Sequence, residues 1–202
     1  MRAGDRTGSA GGAGAGAVVS RAQLYSCLVT RQTGRAVRLS IQEQLTGRSG
    51  PVVTVLDFHE VSVIDFSCAD EVAAKLVDEA AGREDGREED LFLLFTGMEE
   101  HHLDPVESAL RRRELVVSAE RADGTPLVLG ELDAAARRAW EWLADAGDGG
   151  AADVARALEL DADVAAGVLR ALHRRRLVLR RADAYLSLRR AVARATGGDE
   201  AP

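Results

Sequence analysis

VVTVLDFHEVSVIDFSCADEVAAKLVDEA, residues 52–80, is the stretch that decides the fold class. It opens with Val52–Phe58, a nearly continuous apolar run rich in β-branched residues, which is typical of a strand buried on both faces in a parallel sheet. A helix with an i, i+3/i+4 apolar face follows and runs to Glu79. We expect Ser67 to be its N-cap, with Asp70 as an approximate capping-box partner. A buried strand followed by an amphipathic helix predicts an α/β fold.

The flanking sequence continues this alternation of strands and helices. An apolar residue at every fourth position predicts a helix over about 33–45. Asp104 and Pro105 have the pattern of an N-cap and a first helical residue, and they predict a helix from Pro105 to about Arg113. Further strands are predicted from short apolar runs at Leu91–Phe95, Leu115–Val117 and Pro126–Leu129. We therefore expect one α/β domain over residues 23–130.

The sequence pattern changes at Gly130, after which helical spacing replaces strands. Three helices are expected, and two short strands follow them at Leu177–Leu179 and Tyr185–Leu188. Three helices followed by a hairpin is the element order of a winged helix-turn-helix. We predict a mainly α domain over residues 131–196, with a boundary between Thr125 and Asp133 that separates two independently folding units.

Both ends of the chain are poor in large apolar residues. Residues 1–22 are rich in Gly, Ala and Ser, and such a segment buries too little surface to offset its ordering entropy. We expect a disordered tail over 1–22 and a second one over 197–202.

Charge is distributed unevenly along the chain. The net charge of −7 argues against a protein that binds nucleic acid with its whole surface. The segment 167–194 nevertheless carries nine arginines and one acid. Six arginines of this segment are candidate contacts to DNA phosphates: Arg170, Arg174, Arg175, Arg176, Arg180 and Arg181. The start of the expected recognition helix carries Asp161 and Asp163 instead of base-reading donors, so a protein-docking role for the same arginines stays open.

No motif for catalysis, cofactor binding or metal binding is found in the sequence. Cys27 and Cys68 lie far apart and are expected to be reduced thiols. His101 and His102 are adjacent, and we expect their side chains to diverge and to form no metal site. We predict a protein that is not an enzyme and has no cofactor. No apolar run is long enough for a membrane span and no signal peptide is recognised, so the expected location is the cytoplasm.

The first domain resembles the STAS family, the fold of bacterial anti-sigma factor antagonists, and more closely its STAS-like group. The resemblance covers about residues 24–120 and is carried by Val55-Leu56-Asp57-Phe58-His59-Glu60-Val61 and Ile64-Asp65-Phe66-Ser67-Cys68-Ala69-Asp70-Glu71. In STAS domains a serine at the position of Ser67 is phosphorylated by a partner kinase. The resemblance implies a protein partner, such as an anti-sigma factor or a histidine-kinase-like ATPase, and a switch at Ser67. Asp57 and Asp65 lie at the ends of apolar strands, where they either cap loops or line a partner surface. With Asp70 and Glu71 beside the serine, these residues form the candidate switch or partner surface.

Two departures from the STAS pattern surround this serine. Cys68 replaces the loop glycine, and the neighbouring acids Asp65, Asp70 and Glu71 would repel a phosphate at Ser67. A switch at Ser67 and a purely structural cap therefore both remain open.

The second domain resembles bacterial winged helices through Ala152–Leu160, Val168–Leu172, Leu177-Val178 and Tyr185-Leu186. Together the two resemblances predict an α/β STAS-like domain followed by a mainly α winged-helix domain. The expected function is a non-catalytic bacterial regulatory protein in transcriptional control or partner switching. The alternative is a DNA-binding transcriptional regulator whose first domain only dimerises or senses a signal. The oligomeric state is left open.

Overall fold

The chain folds as a mixed α/β protein, as the sequence predicts. The computed structural model describes residues 17–45, 50–82 and 91–197. Its strands are β1 (Val18–Gln23), β2 (Cys27–Leu28), β3 (Val52–Asp57), β4 (Val63–Ile64), β5 (Leu91–Met98), β6 (Val116–Arg121), β7 (Pro126–Gly130), β8 (Asp148–Gly149), β9 (Val178–Arg181) and β10 (Ala184–Ser187). Its helices are α1 (Arg31–Leu45), α2 (Phe66–Ala69), which continues through the π-helical turn Asp70–Ala74 into α3 (Lys75–Ala81), α4 (Glu100–Arg111), α5 (Ala134–Ala146), α6 (Ala151–Leu158), α7 (Ala162–Arg174) and α8 (Leu188–Ala195).

A five-stranded sheet with the order β1-β3-β5-β6-β7 is the centre of the molecule. The first four strands are parallel, and β7 runs antiparallel to β6. Two smaller sheets accompany it: β2 pairs in parallel with β4, and β10 lies between β8 and β9. No helix within the described residues is long and apolar enough to cross a membrane.

The strand order explains why the sheet has two differently covered faces. Parallel strands follow one another in chain order, and right-handed crossovers then put every connecting helix on the same side. The helical face accordingly carries α1 to α4, whose apolar residues share one cluster with Leu56, Leu93 and Phe95 of the sheet. Because side chains alternate along a strand, an equally apolar set is left on the opposite face.

Residues 131–197, the C-terminal unit, cover this opposite face. Val53, Val55, Phe92 and Leu94 share a cluster with apolar residues of β9, β10 and α8, namely Leu179, Leu186, Leu188 and Ala191. Val116 and Val128 belong to the cluster formed by α5, α6 and α7. The change of sequence pattern at Gly130 coincides with the end of β7, but the shared clusters argue against the expectation that the two units fold independently.

Polar contacts also join the sheet to the C-terminal unit. The buried Ser118 hydroxyl donates to the Leu177 carbonyl at 3.1 Å and accepts the Trp140 indole N–H at 3.0 Å. Arg176 is 4% exposed; its guanidinium lies over the Phe92 ring and donates to the Ala80 carbonyl at 3.3 Å. Hydrogen bonds that cross a buried interface fix how its two sides pack.

The predicted N-terminal tail is partly wrong, and most of both predicted tails lies outside the residues that the structure describes. Residues 18–22, expected in the disordered tail, form most of β1 and pair with β3 from Val18↔Val52 onward. Pairing with a buried neighbour satisfies their backbone groups despite the Gly- and Ala-rich context. Residues 1–16 and 198–202 lie outside the described residues.

Three helix boundaries also differ from the sequence expectations. The helix expected from Pro105 begins at Glu100, because the preceding Glu99 has extended backbone and its N–H is capped by His102 Nδ1; Pro105 therefore lies inside the helix. The helix expected over 33–45 begins two residues earlier, at Arg31. Leu188, expected to end a strand, instead begins α8, with Ser187 as its N-cap accepting the Arg190 N–H at 3.3 Å.

Candidate functional site

An exposed apolar patch lies on the short β2–β4 ribbon beside the main sheet. Cys27 and Val63 are register partners and are both exposed, whereas the next pair, Leu28 and Ile64, is buried. Tyr25 and Val29 extend the exposed row of β2 and are 65% and 44% exposed. We call Tyr25, Cys27, Val29 and Val63 the ribbon patch. Contiguous exposed apolar side chains of this kind mark interaction surfaces more often than isolated ones do.

The ribbon leads directly into the N-terminus of α2. The Asp65 N–H donates to the Leu28 carbonyl at 2.9 Å, which fixes the end of β4. The Asp65 carboxylate then accepts the Cys68 N–H at 2.8 Å and the Ser67 hydroxyl at 2.9 Å. The N-cap is therefore Asp65, and the expectation that Ser67 caps the helix is wrong. Both residues are good N-caps, but the helix begins at Phe66 and only Asp65 has extended backbone.

Ser67 is half-buried, and its hydroxyl is bound by Asp65. A phosphate on this oxygen would break that hydrogen bond and face the Asp65 carboxylate, although the helix N-terminus attracts negative charge. The geometry therefore opposes a phosphate at Ser67.

Asp70 and Glu71 lie in the π-helical turn and are held by cations of the same chain. Glu71 is 3% exposed and is contacted by Lys75, by Arg31 at 3.1 Å and by Arg38 at 3.5 Å. Burial acts to raise the pKa of Glu71, but the hydrogen bonds and charges of these cations outweigh it and hold the pKa below its usual value. A buried carboxylate surrounded in this way fastens α1 to the π-helical turn.

Asp70 shares the same network from its other side. Its carboxylate contacts Arg31 at 3.2 Å and Arg113 at 3.1 Å. Burial acts to raise the pKa of Asp70, but the bonds from Arg113 and Arg31 hold it below its usual value. Of the five residues predicted for a partner surface, Asp70 and Glu71 are thus engaged in internal ion pairs.

Gly34 explains how α1 comes so close to this segment. A Cβ at Gly34 would lie 2.9 Å from the Glu71 Cβ and 3.1 Å from the Cys68 Cα. Both atoms are fixed by the backbone of the neighbouring helix and cannot rotate away. The Cys68 thiol in turn donates to the Thr30 carbonyl at 2.8 Å. Cys68 is therefore a buried packing residue, whereas Cys27 is exposed.

The Asp57 carboxylate forms its hydrogen bonds within the turn that follows β3. Its carboxylate accepts the His59 backbone N–H at 3.1 Å and lies 2.7 Å from His59 Nδ1. Burial acts to raise the pKa of Asp57, but the bonds from His59 lower it below its usual value. Asp57 keeps 42% of its side chain exposed, so it offers a carboxylate at the carboxyl end of β3.

The buried side chain of His102 supports the loop that precedes Val63 of the ribbon patch. His102 is 1% exposed; its Nδ1 accepts the Glu99 N–H at 3.0 Å and its Nε2 lies 2.6 Å from the Val61 carbonyl. This arrangement requires a neutral ring with the proton on Nε2. Burial lowers the pKa of His102.

His101 and His102 do not diverge, contrary to expectation. Their ring centroids are 3.9 Å apart, and His101 Nε2 also lies 3.3 Å from the Val61 carbonyl. The common acceptor in the preceding loop brings the two rings together, which sequence adjacency alone does not predict. Within the part of the chain that the structure describes, no three His, Cys, Asp or Glu side chains are grouped so as to hold a metal ion.

The six candidate phosphate-binding arginines fall into three classes. Arg176 is buried, donates to the Ala80 carbonyl and lies over the Phe92 ring, so its assignment as a phosphate contact is wrong. Its positive φ of 61° at the turn after α7 directs the chain back toward the sheet. Arg175 is half-buried and donates to the Glu131 carbonyl at 3.0 Å. The exposed ones are Arg170, Arg174, Arg180 and Arg181.

Comparison with known proteins adds nothing to this geometry: no family model matches the chain, and no curated protein matches it.

Proposed function

We propose that the chain is a non-catalytic regulatory protein in which a STAS-like interaction module, joined to a winged helix, binds a protein partner through the ribbon patch. The observation that carries the proposal is the exposed row of Tyr25, Cys27, Val29 and Val63 on a ribbon that is otherwise buried. The sequence resemblance to STAS domains supports a binding site at the same place, because the motif around Ser67 begins where the ribbon ends.

Charged groups around the patch would give the contact its specificity. Asp57 is partly exposed at the end of β3, and Asp65 is half-buried at the start of α2. An apolar centre with acids at its margin suits a partner surface that has an apolar core and a basic rim. Asp70 and Glu71 contribute indirectly, by fixing the helix that begins beside the patch.

The experiment is capture of partners from lysate of the source cells by the tagged full-length chain, compared between two variants. Val63→Glu introduces a charge into the ribbon patch, and Leu39→Glu does so at an equally exposed apolar position on α1; the two residues are 42% and 44% exposed. We expect a protein captured by the wild type to be absent with Val63→Glu and retained with Leu39→Glu. Equal capture by both variants contradicts the proposal.

A second candidate function, DNA binding, rests on the exposed arginines of α7 and the β9–β10 hairpin. The order α5, α6, α7, β9, β10 supports a winged helix, and Arg180 and Arg181 lie at the hairpin turn. The acids at the start of α7 leave phosphate contacts as the main source of affinity, so binding should depend steeply on salt and weakly on sequence.

Titration of the full-length chain with a duplex of arbitrary sequence tests this candidate. Arg180→Ala with Arg181→Ala should weaken binding and reduce the log–log salt slope by about 0.9 for each phosphate that is no longer neutralised. Arg35→Ala with Arg111→Ala removes the same charge from exposed positions on α1 and α4 and serves as the control. Equal weakening by both pairs, or no binding at low salt, excludes DNA binding by the hairpin.

A further inference from the structure

The outer edge of β7 has backbone groups with no hydrogen-bond partner among the residues that the structure describes. β7 is the last strand of the sheet and pairs only with β6 in the described part of the chain. The Arg121 N–H donates to the Thr125 carbonyl at 2.9 Å, and this bond sets the alternation of the antiparallel ladder. Ala119↔Leu127 is then a hydrogen-bonded pair, so the N–H and C=O of Val128 point away from β6. An additional strand could bond to them.

This edge forms the floor of a groove of about 300 Å³. Leu103 and Glu107 of α4 line one wall, and Arg137, Trp140 and Glu141 of α5 line the other. Because helices flank the edge on both faces of the sheet, the recess suits a single extended chain better than the edge of another sheet.

The charges of the groove indicate what such a chain carries. Glu107 is paired with Arg111 at 3.3 Å, and Arg121 with Glu100 at 3.3 Å. The side chain of Arg137 is half-buried and makes no ion pair with any residue that the structure describes. Glu141 on the same wall also makes no ion pair with a described residue, but it is exposed and its charge is screened by water. The half-buried guanidinium of Arg137 is screened less, so it fits a carboxylate on the incoming strand.

We propose that this groove binds an extended peptide segment of another protein, which adds a strand to β7 and places a carboxylate against Arg137. Side chains alternate along the added strand. One set faces Leu103 and Leu127 on the α4 side, and the other faces Arg137 on the α5 side. The ligand is therefore a segment in which acidic residues alternate with apolar, β-branched ones. The site lies apart from the ribbon patch and does not depend on its role.

Selection of a displayed random heptapeptide library on the full-length chain tests the proposal. We expect enriched peptides with an acidic residue between apolar ones, and we expect the Val128 amide to become protected from hydrogen exchange when a synthetic copy binds. Arg137→Glu should weaken that binding at least tenfold. Arg138→Glu, the same change at the adjacent exposed position of α5, should leave it within twofold.

Three outcomes overturn the proposal. The first is a selection that yields no enriched sequence, and the second is peptide binding that Arg137→Glu does not weaken. The third is a concentration-dependent dimer of the chain that protects Val128 and does not form in Arg137→Glu, because the occupant of the edge would then be a second copy. Circular dichroism of both variants checks that neither substitution unfolds the chain.

Discussion

Truncation of a core residue in the C-terminal unit should destabilise the central sheet as well. Leu169 of α7 is fully buried and belongs to the same cluster as Val116 and Val128 of the sheet. Leu169→Ala removes buried methyl groups and leaves a cavity, which costs about 2 to 5 kcal/mol at such sites. If the two units unfold together, the free energy of unfolding of the central sheet should fall by the whole of this amount.

Native-state hydrogen exchange measures this coupling residue by residue. A loss of 2 kcal/mol corresponds to about 30-fold less protection, since every 1.4 kcal/mol is tenfold. We expect at least this decrease for the slowest amides of β3 and β5, such as Val53 and Phe92. Val164→Ala, at a 47% exposed position of the same helix, is the control and should change protection little. Unchanged protection in the sheet of Leu169→Ala would show that the units fold independently and refute the reasoning.

Three further predictions, with four substitutions, concern the neighbourhood of the ribbon patch. Asp65→Ala should cost about 1 kcal/mol of unfolding free energy in urea, and Ser67→Ala clearly less, because only Asp65 accepts a backbone N–H; the reverse order would reinstate Ser67 as the cap. Gly34→Ala should lower the melting temperature although alanine favours helices, because its Cβ would contact Glu71; a stabilised variant would contradict this. Burial holds the pKa of His102 in the folded state below its usual 6.5. The contribution of His102 to stability is therefore present above that pH and is lost as the pH falls below it. In urea unfolding between pH 7.5 and 5.5, the unfolding free energy of His102→Gln should depend less on pH than that of the wild type, and identical pH profiles would argue against a neutral His102.

The parts of the fold that the sequence predicted are those where one physical signal dominates. β3 and β5 are buried on both faces, so both strands are mostly apolar and their signal is strong. β1 is an edge strand with a mixed burial pattern, and its six residues carry too weak a signal against a Gly- and Ala-rich context. α8 is short and follows a strand without a break, so its start is hidden in the run from Tyr185 to Leu188.

The candidate site was predicted only in part, because several of its features depend on tertiary contacts. Asp65 and Ser67 are equivalent caps by residue type, and only the backbone conformation distinguishes them. An arginine in a basic stretch is normally exposed, but the turn after α7 directs Arg176 onto Phe92. Cys27 and Val63 come together in the ribbon patch because β2 pairs with β4, and no local spacing in the sequence predicts that pairing.

The most direct test of partner binding at the ribbon patch is a hydrogen-exchange footprint of the co-purified complex. The protein captured by the full-length chain is kept bound, and amide exchange is compared with that of the chain alone. We predict protection concentrated in residues 25–29 and 62–67, which are the ribbon and the start of α2. Protection confined to α7 and the β9–β10 hairpin, or to β7, would contradict the account.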